Sequence, residues 1–467
     1  MNLFRKLKRL IWVKGPADLG GGPVMGTLVR LAIPSIAMVL LYTLFNLVDT
    51  IFISWLGEGP MVAISYTFSV QIGVWAVLEG VGNGMTALVG RRLGEDRSEE
   101  AQKTALAGLT FSYALTLLWL PFMFPYTSDA FFRMLGANDA AILRQAWLYN
   151  MWIPPTFVFI CFSYVTNSIF RCQGDTTTPL KYFAIANGIN LVLDPIFIFT
   201  FGWGITGAAA ATMLGRVIGT VYLIWKLKKC SKIAVPFFPR FSLSHLGYWR
   251  QITKIGLPIT LSTSSVALGM GSVNRIMSGA FGQQAVAAWM IGLRVEDLAF
   301  NTIMGINDAL VPFLSFNYGR RSLARMKLGV RSAFIISAAV TGTMGVLVAL
   351  FPYPIISLFH PTETIAHIAA QSIRITMVGY PMVVYNVIYS ALFIATGHSA
   401  YGMVSEALRS VLIRVPAAKI LSVLVSVHYI WWFQPISYIG AAMSTAFFSR
   451  RLLREMKSRM ESEKAAG

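Results

Sequence analysis

Two aspartates stand out because of where they lie. Asp49 falls in LLYTLFNLVDTIFISWL and Asp194 in YFAIANGINLVLDPIFIFTF, both apolar runs of membrane-spanning length. A carboxylate placed in hydrocarbon costs a few kcal/mol or more, so it marks an ion or proton site by default. The neighbouring residues fit that chemistry. Asn187, Asn190 and Asp194 are spaced three and four apart, which puts them on one helix face, and Asn46 is one turn from Asp49. Two carboxylates with amide and hydroxyl oxygens form a hard-oxygen set that suits Na⁺, and the same set suits a proton. The competing reading is a satisfied polar pair that locks helix packing. Other charges also fall within apolar runs: Arg294, Glu296 and Asp297 together, Arg275, Arg409, Arg414 and Lys419, and Arg216 four residues after Thr212. These read either as structural ion pairs or as a second polar lining, with Glu296, Asp297 and Arg294 as secondary site candidates. Pro34, Pro154–Pro155 and the Asp194–Pro195 pair interrupt helices and free backbone carbonyls, giving either a static kink or a hinge; Pro34 is the hinge candidate.

The elements that must hold these residues are helices across a bilayer. Of 467 residues, 55% are hydrophobic and 13% charged, with mean hydropathy +0.62; an average soluble domain carries about 25% charged residues. The spacing predicts twelve spans near 28–55, 61–90, 104–126, 146–170, 182–201, 205–226, 251–280, 285–316, 329–352, 367–396, 402–425 and 428–448. The alternating ten-residue segments of a membrane β-barrel are absent. The net charge of +19 does not imply nucleic acid, because Lys and Arg cluster in alternate connections (Arg91 and Arg92; Lys226, Lys228 and Lys229; Arg320, Arg321 and Arg325), the positive-inside pattern. That pattern predicts a multi-pass protein of the plasma (bacterial inner) membrane with both termini cytoplasmic. The basic N-terminal stretch has no cleavable-signal pattern and is expected along the anionic inner leaflet. Cys161, Cys172 and Cys230 lack metal-ligand spacing, and no disulfide is expected. No P-loop, HExxH or GxSxG is present, so neither an enzyme nor an ATP-driven pump is expected, and no cofactor beyond a coupling ion.

The chain repeats. LVRLAIPSI at 28–36 resembles ITKIGLPIT at 252–260, setting Pro34 opposite Pro258; Gly94 meets Gly319, and Gly174 meets Gly397, at an offset near 225. Six spans per copy make parallel repeats related by an axis along the membrane normal. The expected organisation is a basic segment 1–26, a first lobe 27–226, a cytoplasmic loop 227–250, a second lobe 251–449 and a basic tail 450–467. By the offset Asp49 corresponds to Val273 or Asn274 and Asp194 to a position near Ala417, so the aspartate pair belongs to the first lobe alone.

NLVDTIFISWLG, FRCQGDTTTP and NLVLDPIFIFTFGWGITGAAAAT, with the second-lobe run AVAAWMIGLR…PFLSFNYGRR, resemble the multidrug and toxic compound extrusion (MATE) transporters over about 27–450. Within that family the chain resembles the prokaryotic branch related to the DNA-damage-inducible F proteins. The resemblance implies an all-α polytopic membrane protein, with twelve helices in two six-helix lobes related by pseudo-two-fold symmetry. It implies efflux of bulky, often cationic, amphipathic drugs against inward H⁺ or Na⁺ by alternating access. It implies a cation site of Asp49, Asn190, Asp194 and Thr212, and it is the resemblance that selects Thr212. It also implies a substrate chamber that includes Asn167; Tyr42 and Phe45 are wall candidates from their position near Asp49. Another branch carries an acidic residue in its seventh helix; LSTSSVALGM here has none, which argues against a second-lobe cation site of that kind. The expected partners are small-molecule substrates and membrane lipid, with the protein monomeric. The alternative is a flippase or exporter of a lipid-linked precursor or dedicated metabolite in the related superfamily, which the arginines at 275, 294 and 414 keep open.

Overall fold

The structure is a computed structural model that describes residues 15–465; the N-terminal basic stretch through Lys14 lies outside the described residues. The described chain is helical, without strands. Twelve long helices follow in order: α1 Val24–Ser54, α2 Glu58–Gly94, α3 Ser98–Thr116 with a 3₁₀ extension through Met123, α4 Ala140–Cys172, α5 Thr177–Pro195, α6 Gly204–Cys230, α7 245–281, α8 283–319, α9 Leu323–Leu350, α10 Glu363–Thr396, α11 399–424 and α12 Phe433–Ala465. Gly282 separates α7 from α8 with φ 77° and ψ −174°, a conformation open essentially to glycine alone. Short helices at Pro125–Met134 and Pro352–Ile356 fill the two longest connections inside the six-helix sets. The basic segment expected as a tail after 449 continues α12 as helix to Ala465.

Each interruption foreseen from proline has its own form. Pro34 lies inside a continuous α1. Pro154 and Pro155 sit in the first turn of the second part of α4, where a missing N–H costs nothing. Pro195 closes α5, and a single π turn, Ile196–Thr200, follows it. The link from α4 to α5 is built by its own sequence. Gly174 takes φ 81°, and Asp175 then accepts from the backbone N–H groups of Thr177 and Thr178 at 2.9 and 3.0 Å, capping α5.

The backbone keeps a record of the repeat. Gly174 and its counterpart Gly397 both have φ 81°, and the non-glycine positive-φ residues Asp96 and Arg321, with φ 59° and 55°, occupy matching places after α2 and α8. The chain divides into two compact units, one formed by Ala37–Gly256 with residues 15–17 and the other by Asp18–Ile36 with the chain from Leu257 onward. The divisions thus fall within three residues of Pro34 and Pro258 rather than in the 227–250 loop. The cause is local packing. In the second unit Asn317 Nδ2 donates to Leu19 O at 2.9 Å, Arg325 donates to Gly21 O at 2.8 Å, and Gly305 lies against the Ile36 backbone. In the first unit, Gly256 faces the Gly80 carbonyl and Tyr248 donates to Glu100 at 2.9 Å.

Candidate functional site: a two-carboxylate pocket

Within the Ala37–Gly256 unit, α6 lies close against α5 through a GxxxG pair. A side chain at Gly215 would strike the Ala186 carbonyl oxygen, and one at Gly219 would come to 2.8 Å from the Tyr182 ring. Small residues let membrane helices approach backbone to backbone. The approach carries Thr212, one turn before Gly215, to Asn190. Asn190 Nδ2 donates to Asp194 Oδ1 at 2.9 Å and to Thr212 Oγ1 at 3.3 Å. Asp49 on α1 completes the group, its carboxyl within hydrogen-bonding reach of the Asp194 carboxyl.

Each carboxylate then has an oxygen without a donor. Asp49 Oδ1 and Asp194 Oδ2 are both buried and unpartnered. A buried, unsatisfied charged group is costly, and two adjacent carboxylates raise that cost further. A proton shared between them removes it, and so does a hard cation bridging the carboxylates and the Thr212 hydroxyl, with the Asn190 amide free to rotate its oxygen inward. All four donors are oxygens, which fits Na⁺ and fits no thiophilic metal. Among the described residues no group of three or more His, Cys, Asp and Glu side chains is placed so that it could hold a metal ion.

The pocket in front of this group encloses about 120 Å³. Its walls are Tyr42, Phe45, Asn46 and Asp49 from α1; Gln71 and Trp75 from α2; Tyr149, Trp152, Thr156, Phe157 and Ile160 from α4; and Asn187, Asn190, Thr212 and Arg216 from α5 and α6. Tyr42 meets the Trp75 ring edge-on at 5.8 Å. Asp194 is completely buried behind Asn190 rather than in the wall. The structure thus brings together Asp49, Asn190, Asp194 and Thr212, with Tyr42 and Phe45 beside them. Asn167 is different: it lies two turns beyond Ile160 on α4, is buried, and does not line the pocket. Gln71, Trp75 and Tyr149 were missed from sequence, and no periodicity marks them. The spacing of Gly215 and Gly219 was the available signal for the α5–α6 contact.

The secondary candidates separate in the other unit. Arg294 pairs with Asp297 at 3.9 Å, and both side chains are more than half exposed. Glu296 turns inward, is buried, and accepts from the Tyr438 hydroxyl at 2.8 Å. Arg409 is held by Glu406, the closest contact being 2.6 Å. Arg275 and Lys419 are exposed. These charges are mostly structural pairs, with no carboxylate dyad among them.

Twelve spanning helices in two repeats, with a carboxylate-bearing pocket inside one of them, define a multi-pass membrane transporter. The MatE family model matches twice, over residues 34–196 and 258–420, each match beginning at one of the repeat prolines. The chain belongs to that family, the multidrug and toxic compound extrusion transporters. It is 25% identical over 460 residues to a protein named FAD transporter from Shewanella oneidensis, covering 96% of this chain and 99% of that one. It is 23% identical to the multidrug export protein MepA of Staphylococcus aureus, covering 88% of this chain and 90% of that one. Among solved structures, one described as the outward-facing conformation of a multidrug resistance MATE family transporter superposes with TM-score 0.88 at 26% identity, over 96% of this chain and 99% of the other. These relatives are transporters, in line with the absence of enzymatic motifs.

Proposed function

We propose that the protein is a secondary active efflux antiporter of the plasma membrane, with both termini cytoplasmic, which exports amphipathic organic compounds in exchange for inward H⁺ or Na⁺. The observation that carries this reading is the pair of donorless carboxylate oxygens of Asp49 and Asp194 beside a pocket with aromatic walls. In the ionised state the pair attracts the cationic part of a substrate. Loading the pair with H⁺ or Na⁺ removes that attraction and the repulsion between the carboxylates, so ion and substrate compete for one site. Each inward elementary charge gains about 2.3 kcal/mol per 100 mV of membrane potential, enough to bias a two-state equilibrium strongly. Pro34 serves as the hinge. Having no N–H, it cannot make the helix bond to the carbonyl four residues earlier, at position 30, and it lies two residues before the division between the compact units. Bending there moves Tyr42, Phe45 and Asp49 together, since all three follow on α1.

The test is efflux from proteoliposomes driven separately by an imposed Na⁺ gradient and an imposed pH gradient. The reading expects one gradient to drive efflux, and Asp49→Asn and Asp194→Asn each to abolish that drive. Ion-driven efflux that persists in both variants overturns it. A second reading, export of a dedicated metabolite or lipid-linked precursor, draws support from Arg216 in the pocket wall and from the relative named FAD transporter. Resistance to cationic dyes on overexpression favours the first reading; a cell-envelope or metabolite-secretion defect on deletion favours the second.

A further inference from the structure

Arg216 sits one turn after Thr212 on α6 and lines the same pocket as Asp49. Its residue is 8% exposed, and among the described residues it makes neither an ion pair nor a hydrogen bond. Its guanidinium lies 5.6 Å over the Phe183 ring and beside Tyr42. Buried cations are normally paired, because desolvation of an unpaired one is expensive. Arg409, equally buried, has Glu406, and Arg325 has the carbonyls of Gly21 and Gly22. The ring contact stabilises one face of Arg216, but its planar fork of donors is left open to the pocket. The site therefore carries opposite formal charges: the carboxylates of Asp49 on α1 and Asp194 on α5, the latter joined through Asn190 to Thr212, and the guanidinium of Arg216 one turn beyond Thr212 on α6, roughly 6 Å further along that helix.

We propose that this arrangement selects a bipolar ligand, a flat aromatic body whose cationic end faces Asp49 and Asp194 while an acidic group is held by the Arg216 guanidinium. The inference rests on the reading that this pocket binds the exported compound, and it names the class of that compound. It also fits the exchange. Once the carboxylates are loaded, Arg216 is the remaining fixed charge among the wall residues. It then repels the cationic end of the ligand, so loading removes one anchor and adds a push. A ligand with a cation alone gains nothing from Arg216 in the ionised pocket.

The test uses the purified full chain in detergent and two fluorescent dyes that differ in one group: rhodamine 110, a xanthylium cation with a free carboxylate, and rhodamine 123, its methyl ester. Binding is followed by fluorescence anisotropy in Na⁺-free buffer at pH 8. The wild type is expected to bind rhodamine 110 roughly tenfold or more tightly than rhodamine 123, as a charge-assisted hydrogen bond supplies. Arg216→Gln is expected to bring that ratio near one, and Arg216→Lys to keep part of it, since an ammonium retains the charge without the fork. No preference in the wild type overturns the proposal, and that result needs no variant to fold. A preference that survives Arg216→Gln, or affinities for both dyes falling by the same factor, overturns it as well. Rhodamine 123 that binds and is displaced by H⁺ or Na⁺, with no advantage for rhodamine 110, removes this inference and leaves the antiport reading standing. Failure to bind either dye removes both.

Discussion

Replacing Gly215 by alanine perturbs the proposed cation site without touching any of its candidate ligands. The new Cβ falls well inside contact distance of the Ala186 carbonyl oxygen and 3.5 Å from Asn190 Cβ, so the backbone of α6 must retreat from α5. Reaching the roughly 3.5 Å at which non-bonded heavy atoms are comfortable takes a shift of about 1 Å. Thr212 is one turn away on the same helix and moves with it. Its bond to Asn190 is already 3.3 Å long, so a shift of that size breaks it. Overpacking of this kind costs about 1–3 kcal/mol, and the lost hydrogen bond about 1 kcal/mol more; the better helix propensity of alanine returns about 1 kcal/mol. The expected net loss is about 1–3 kcal/mol in stability, with a rise of about fivefold in the ion concentration that half-saturates efflux, the equivalent of the one hydrogen bond. Thermal melting in detergent measures the first and ion-dependent efflux the second. Gly188→Ala is the control. It lies on α5 between Asn187 and Asn190, and a Cβ there meets nothing within 4 Å; the expected result is unchanged ion dependence and stability that is equal or higher by up to about 1 kcal/mol. Half-saturation that is the same in Gly215→Ala as in the wild type refutes the idea that the α5–α6 contact positions the site.

Two further variants probe the other unit. Arg409→Met strands Glu406, whose carboxylate accepts from Arg409 Nε at 3.0 Å and Nη2 at 2.6 Å. A loss of about 3–5 kcal/mol is expected on melting, with much of it recovered when Glu406 is also made Met. Arg325→Ala removes the donors to Gly21 O and Gly22 O, and limited proteolysis should then cleave near residues 18–24 faster than in the wild type, with a stability cost of about 1–3 kcal/mol.

The spans were legible because bilayer thickness dictates the length of an apolar run, and the structure begins and ends most helices within a few residues of the expected places. The main departures are at helix starts: α3, α4, α7 and α9 each begin about six residues earlier than expected, and α12 begins later and runs on through the basic segment. The face shared by Asn190 and Asp194 was legible because both lie on one helix with fixed periodicity. Thr212 was not, because its contact with Asn190 depends on how closely two helices approach, and that is decided by Gly215 and Gly219, residues with no chemistry of their own. Glu296 and Asp297 show the same limit at its smallest scale. Adjacent helical residues point about 100° apart, so one is buried against Tyr438 and the other pairs in the open with Arg294. Asn167 shares α4 with the pocket wall, but depth along a helix cannot be read from residue type.

The repeat is consistent with one copy carrying the proposed exchangeable site. Asn190 lies as far into the first family match as Arg414 lies into the second. Arg414 is 4% exposed, and its guanidinium lies 5.7 Å from the Tyr438 ring centre. Val273, completely buried, stands in place of Asp49. Where the first copy gathers two carboxylates that need a positive partner, the second has built that partner into the chain. The groups around it are tied to one another: Tyr438 donates to Glu296 and lies 2.7 Å from Gln434 Oε1, and Gln434 donates to Thr376 at 2.8 Å. A covalently held guanidinium cannot be released to either side of a membrane, so at this position the second copy carries a fixed charge in place of an exchangeable one. Under the proposed exchange, the free-energy change on ion binding arises at Asp49 and Asp194, and Pro34, on the helix that carries Asp49 and two residues before the division between the units, is the proposed hinge.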